Sequence, residues 1–154
     1  MTITISREDP TTPEMVQILQ THLDFCREVT PVEFSFALDL SKLVSPEITV
    51  FGAKLDGELV GVGAIRVFEP QHAELKSMHT LARARGHGVG TAMVEHITNY
   101  ARAIGMKQLS LETGTKEAYK EARSLYEKLG FTYCEAFGDY VLSEYNICMT
   151  KYLS

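Results

Sequence analysis

Arg85-Gly86-His87-Gly88-Val89-Gly90-Thr91 decides how this 154-residue chain is read. Its three glycines stand at every second position. They leave a bare backbone that takes positive φ and lets an anion reach the amide N–H groups with no Cβ in the way. Behind the glycines, Thr91 to Ile104 carries Met93, Ile97, Tyr100 and Ile104, led in by Val89, at the spacing of an amphipathic helix. Ahead of them, Ala73 to Leu81 reads as a strand. Strand, glycine turn and helix N-terminus form an anion cradle, because orphan N–H groups and the positive end of the helix dipole converge there. The implied cargo is a phosphate or pyrophosphate.

The spelling of the turn narrows the cargo. A Walker A loop needs a Lys-Ser/Thr pair after its last glycine, where this chain has Thr91-Ala92. The dinucleotide fingerprint needs glycine three residues after Gly88, and Thr91 stands there. Arg85, Gly88 and Gly90 instead spell Arg-x-x-Gly-x-Gly. This resembles the acyl-CoA-binding signature of the GNAT superfamily of N-acetyltransferases, in which the loop holds the pyrophosphate of coenzyme A.

Composition bounds the alternatives. The length suits a single domain over residues 1–154, and 45% apolar with 23% charged residues is ordinary for a globular protein. A net charge of −5 disfavours nucleic acid as the partner, since phosphate backbones call for a basic surface. No apolar run reaches membrane-spanning length and the N-terminus has no signal-peptide pattern, so neither a membrane partner nor export is expected. Cys26, Cys134 and Cys148 are odd in number and widely spaced. They read as reduced, buried thiols of a cytoplasmic protein, with no nearby histidine in sequence to activate them.

Along the chain, Thr2 to Ser6 reads as a strand. Thr11-Thr12-Pro13-Glu14 reads as a capped helix start, with Met15, Ile18, Leu19, His22, Leu23 and Cys26 on one face. A short helix is expected at Asp39–Leu43. Ile48–Leu55 and Glu58–Phe68 are joined by the hairpin signal Asp56-Gly57. After the glycine helix and its stop at Gly105 come a strand at Gln108–Thr113 and a helix at Lys116–Leu129 capped by Gly130. Strands at Phe131–Cys134 and Tyr145–Tyr152 close the series. This order predicts an α/β fold: one mixed β-sheet flanked by helices, unlike the doubly wound nucleotide folds.

A second motif agrees with the first. Ala122 to Phe131 is similar to the GNAT pattern A-x-x-L-Y-x-x-x-G-F, through Ala122, Leu125, Tyr126, Gly130 and Phe131. The element order is also that of the GNAT fold. The resemblance implies an acetyl-CoA-dependent N-acetyltransferase, without a metal, moving an acetyl group to a primary amine by direct attack in a ternary complex. A small-molecule amine is the expected acceptor. A protein or peptide N-acetyltransferase and a non-catalytic acyl-CoA-binding regulator are the alternatives.

The resemblance also assigns residues. Tyr126 corresponds to the family's tyrosine at the cofactor sulfur. Phenol near 10 and thiol near 8.5 make full proton transfer uphill by roughly 2 kcal/mol, so Tyr126 is expected to act chiefly as a hydrogen-bond donor to the thiolate. Met78, His79 and Thr80 are expected to pair with the pantetheine arm and polarise the thioester carbonyl. Arg85, Gly86, His87, Gly88, Val89, Gly90 and Thr91 are expected around the pyrophosphate. Tyr119 stands where the family often has a cofactor-contacting asparagine, so that contact is not carried over.

The amine arrives as ammonium and needs a base. Glu74 matches a position where many relatives place a carboxylate, and Glu112 on the neighbouring strand is the second candidate. For either, the alternative is a structural carboxylate, neutralised by Lys76 in the case of Glu74. Strand alternation puts Ala73, Leu75, Ser77 and His79 on one face and Glu74, Lys76, Met78 and Thr80 on the other, so His79 is expected opposite Glu74 as a packed histidine. His22, His72 and His96 show no metal-ligand spacing.

The segment Phe137–Asn146 is expected beside the substrate, with Asp139, Tyr140, Glu144 and Tyr145 as possible contacts. The first helix and Phe34–Val44 are expected as the opposite wall. A homodimer through Tyr145–Tyr152 is expected by analogy with the family.

Overall fold

Residues 2–35, 37 and 39–154 are described by a computed structural model of the chain; Phe36 and Leu38, inside the expected wall segment, lie outside the described residues. The elements are β1 (Ile3–Arg7), α1 (Pro13–Val29), β2 (Ile48–Leu55), β3 (Glu58–Glu69) and β4 (His72–Thr80). They continue with α2 (Val89–Ala103), β5 (Gln108–Gly114), α3 (Lys120–Lys128), β6 (Thr132–Cys134) and β7 (Asn146–Tyr152). One sheet runs in the order β1-β2-β3-β4-β5-β7-β6. Its neighbours are antiparallel except β4 and β5, which are parallel and joined through α2. The fold is mixed α/β, as the element order predicts.

Local chemistry explains most boundaries. At the β2–β3 turn Asp56 and Gly57 take φ of +51° and +89°, the left-handed pair that a two-residue hairpin requires. Asp39 caps a 3₁₀ turn at Leu40–Leu43, its side chain accepting from the Lys42 N–H. Two expectations need correction. Thr12 is the N-cap of α1, but its hydroxyl donates backwards to the Asp9 carbonyl, so no side-chain cap forms. The helix expected at Lys116–Leu129 is broken into a 3₁₀ turn at Glu117–Tyr119 followed by α3, because Tyr119 leaves the helical region at φ −100°, ψ 2°.

The sheet is covered on both faces. On one, α2 lays Met93, Ile97 and Ala101 over Phe51, Ile65 and Leu75. On the other, α1 lays Met15, Ile18 and Leu19 over Val50, Val62 and Ala64. Adjacent residues of β3 therefore belong to different cores, which is why β2 and β3 read as near-continuous apolar runs rather than alternating ones.

An irregularity in β4 sets up the site. Ser77 takes φ +56°, and the pairing with β3 slips there, from Ala64↔Lys76 to Val62↔His79. The extra residue is a β-bulge, which reverses the alternation beyond it. His79 therefore shares the α1 face with Glu74 and Lys76, while Met78 packs towards α2. The expectation that His79 lies opposite Glu74 is wrong for this reason.

β4 and β5 pair only over His72–Leu75 and Gln108–Leu111. Beyond Leu75 the β4 edge facing β5 has no strand partner, and a cleft opens. β7 is interior, held by β5 along its length and by β6 at Cys148–Thr150. Backbone pairing of two copies through the centre of β7, the route expected for a dimer, is closed there.

Candidate active site

The cleft holds a cavity of about 480 Å³, walled by α1, β4, β5, the N-terminus of α2 and α3. At one end lies the glycine loop. Gly86 and Gly88 take φ of +83° and +84°, and a Cβ at Gly86 would meet no heavy atom within 4 Å. Gly88 is the N-cap of α2, so the free N–H groups of the first turn open onto the cavity. Gly90 serves packing instead, since its Cβ would lie 3.1 Å from Leu125 Cδ2. Arg85 is tethered by Nε–H to the Thr80 carbonyl at 3.2 Å. Arg85, Gly86, Gly88, Val89, Gly90 and Thr91 all line the cavity; His87 is exposed and does not. The open edge of β4 brings Met78, His79 and Thr80 to the same wall.

Tyr126 lies in the middle of this wall, buried, with its ring 5.9 Å from that of Phe131. Burial is the cause that pushes its phenol above the ordinary range, no hydrogen bond contributing, and the side chain lines the cavity. The side chain is thus held as a neutral phenol with an unused donor towards the cavity.

The two carboxylates differ. Glu74 is buried and committed: it accepts from Lys76 Nζ at 3.1 Å and from the Tyr140 hydroxyl, with Arg66 at 3.9 Å. Lys76 Nζ also donates to the Tyr140 oxygen at 2.6 Å. Glu112 lines the cavity with no ion pair among the described residues. Burial raises its pKa above the ordinary carboxylate value and Glu74 adds to the rise, while an Asn146 hydrogen bond and Lys76 act against it. Two neighbouring carboxylates in unlike settings are an arrangement that separates acid–base roles.

The first helix lines the cavity as the sequence led one to expect, through His22, Phe25 and Cys26, but the contacts among its side chains were not read from the sequence. His79 Nδ1 lies 3.2 Å from His22 Nδ1, and His22 Nε2 lies 3.7 Å from Cys26 Sγ. Desolvation lowers His22 to about 3 and His79 to about 4, so both rings are neutral and share one proton across their contact. The contact between Cys26 and His22 corrects the expectation that no histidine stands near a cysteine. The signal was there, since the two lie four residues apart on the inward stripe of α1. Burial raises the Cys26 thiol, which keeps it protonated and inert. Burial raises the Tyr119 phenol above its ordinary range, and its ring crosses Gly114 where a Cβ would lie 2.1 Å from Tyr119 Cδ2.

The segment before β7 is only partly at the site. Tyr145 lines the cavity. Tyr140 does not line it, sealing Glu74 and Lys76 from behind, and Asp139 is exposed on the loop away from the cavity lining. Substrate contacts expected at Asp139 and Tyr140 are corrected accordingly: the chain turns Tyr140 inward to satisfy a buried ion pair, which leaves Asp139 facing solvent.

The sequence model of the acetyltransferase (GNAT) family matches residues 14–131. The chain belongs to the GNAT acetyltransferase family. It is 40% identical to the uncharacterized N-acetyltransferase YsnE of Bacillus subtilis, over 97% of this chain and 99% of that one. It is 36% identical to the IAA acetyltransferase of Azospirillum brasilense, over 97% of each. Among solved structures, the putative acyl-CoA N-acyltransferase of Klebsiella pneumoniae superposes with a TM-score of 0.84 at 28% identity, over 99% of this chain and 98% of that one. This GNAT chain is therefore an acetyltransferase, and membership implies acyl-CoA as the donor. No helix among its described residues is long and apolar enough to cross a membrane.

Proposed function

We propose that the chain moves an acetyl group from acetyl-CoA to the primary amine of a small molecule, by direct attack with both substrates bound. One observation carries this reading: a single cavity joins an open anion cradle, an unpaired strand edge, an unused phenol donor and a carboxylate without an ion pair. The cradle at Gly86–Gly88 and the α2 N-terminus fit a pyrophosphate, because nothing fills the space a side chain would take. The β4 edge beyond Leu75 fits the amide-bearing pantetheine arm as an added strand.

Acetyl-CoA supplies the activated acyl group as a thioester. N–H groups of β4 past the bulge are the donors for the acyl oxygen. Glu112 attracts the ammonium and takes its proton, a role for which its raised pKa brings it closer to the working pH than an exposed carboxylate. Tyr126 offers its hydroxyl proton as a hydrogen bond to the leaving sulfur. In balance, the ammonium gives one proton to Glu112, the N–C bond forms as the C–S bond breaks, and the second proton shed by the acylated nitrogen ends on the sulfur, which leaves as the thiol. Glu74 is assigned to holding Lys76 and Tyr140 rather than to proton transfer, because its Oε2 is engaged by both and its charge is paired with Lys76. The free thiols support a reducing, cytoplasmic setting.

Calorimetric titration with acetyl-CoA, with ATP and NAD as controls, tests the cofactor, and thiol release with primary amines tests the transfer. Selective binding followed by amine-dependent thiol release is expected. Binding of ATP or NAD in preference to acetyl-CoA would refute the reading.

A further inference from the structure

Four aromatic side chains from separate segments converge on the acceptor end of the cavity. Phe25 comes from α1, Phe34 from the turn after it, Tyr119 from the turn before α3, and Tyr145 from the residue before β7. They form two pairs: Phe34 and Tyr145 at 4.9 Å between ring centroids, Phe25 and Tyr119 edge to face at 5.4 Å. Phe34 remains 39% exposed, an apolar ring with one face stacked and the rest open. The imidazole of His79, 5.8 Å from Phe25, extends this surface without adding charge, because it is neutral.

Lys116 Nζ stands 5.0 Å over the Tyr145 ring without lining the cavity, and of the cations that do line it Lys76 is paired with Glu74 and Arg85 is tethered at the glycine loop. Glu74 is spent on Lys76 and Tyr140, and Glu121, which also lines the cavity, is exposed on the first turn of α3 at the Tyr126 side. Glu112 is left as the carboxylate for a cation at the acceptor end. A polyamine is recognised by carboxylates spaced along its length, whereas a single carboxylate under an aromatic wall suits one ammonium carried on an apolar, flat body.

We infer that the acceptor is an arylalkylamine, its ammonium at Glu112 and its ring between the Phe34–Tyr145 and Phe25–Tyr119 pairs. The inference rests on the acetyl-transfer reading above and names the substrate class of that site.

The test compares initial rates of thiol release with 2-phenylethylamine, butylamine, spermidine and a tetrapeptide with a free N-terminus, beside acetyl-CoA calorimetry on the same full-length protein. The expected kcat/KM for 2-phenylethylamine exceeds that for butylamine by about tenfold or more, the scale of burying an aryl ring among aromatic side chains. Phe34→Ala should reduce this preference to about threefold or less by losing the ring contact, and Phe34→Tyr, which keeps the ring, should retain it. A preference for butylamine, spermidine or the peptide, or an aryl preference that survives Phe34→Ala, would overturn the substrate class while normal acetyl-CoA binding leaves the cofactor reading standing. Absence of acetyl-CoA binding would overturn both.

Discussion

Replacing Glu74 by Gln separates the two carboxylates. The Glu74 side chain is 2% exposed and that of its partner Lys76 is 9% exposed, with Nζ and Oε2 3.1 Å apart. Glutamine keeps the shape and can still accept from Tyr140, but it leaves the lysine charge buried without a counter-ion. Arg66, at 3.9 Å and 35% exposed, gives or takes little. Removing one partner of a buried pair costs about 3–5 kcal/mol, and the low end applies here because Lys76 borders a cavity that admits water. At roughly 2–4 °C per kcal/mol for a chain of this length, Glu74→Gln should lower Tm by about 6–12 °C. Adding Lys76→Met removes the stranded charge and should restore most of the loss, so the double-mutant cycle reports the pairing itself. At a temperature where every variant is folded, Glu74→Gln should keep kcat within about tenfold of wild type, short of the 10²–10⁴-fold expected for loss of a general base. A variant that melts with wild type yet loses more than a hundredfold in kcat would make Glu74 the base and refute the assignment to Glu112.

The other predictions concern the remaining walls of the cavity. Glu112→Gln should lower kcat by about 10²–10⁴-fold with little change in Tm, measured by thiol release and thermal melting. Since burial raises the Glu112 pKa, the wild-type kcat/KM should rise with pH through a value above the ordinary carboxylate 4.5, and this limb should vanish in the glutamine variant. Gly88→Val forces φ +84° on a β-branched residue, for about 1–3 kcal/mol of strain, but meets only Ile3 Cδ1 at 4.0 Å. A folded protein with acetyl-CoA affinity reduced at least about tenfold is expected by calorimetry, because a β-branched residue resists the positive φ that shapes the loop's row of N–H groups. Tyr126→Phe should lower kcat by about 10-fold or more while acetyl-CoA affinity holds; unchanged turnover would return Tyr126 to packing. His22 and His79 are held neutral in the fold, at about 3 and about 4, against 6.5 in the unfolded chain. Between those values the unfolded state binds more protons, so their contribution is complete above pH 6.5 and is lost as pH falls towards 4. Melting curves from pH 7.5 to 4 should show this slope, and His79→Gln should flatten it.

Much of this was legible in one dimension. Gly86 and Gly88 announced their positive φ, Asp56-Gly57 announced the hairpin, and the stripe from Met15 to Cys26 announced the buried face of α1, because each depends on residues within a few positions of one another. Tyr126 was named through its motif, and the structure puts its side chain on the cavity wall. The Ser77 bulge gave no such signal. Serine has no special tolerance for φ +56°, and only the pairing of β4 with β3 holds it there, so the side of the sheet taken by His79 was beyond local reading.

Amino-acid order alone therefore determined most of the elements, their sequence along the chain and the glycine loop, all governed by short-range backbone preference and hydrophobic period. Tertiary structure decided which charges survive as chemistry. Glu74 and Glu112 are equal in sequence, each a carboxylate on a strand. Both line the cavity, and they become different because Lys76 and Tyr140, the latter 66 positions away, engage Glu74, while Glu112 stands past the point where β4 and β5 part with no ion pair among the described residues. A carboxylate's role follows from its neighbours and its access to water, and both are properties of the folded chain.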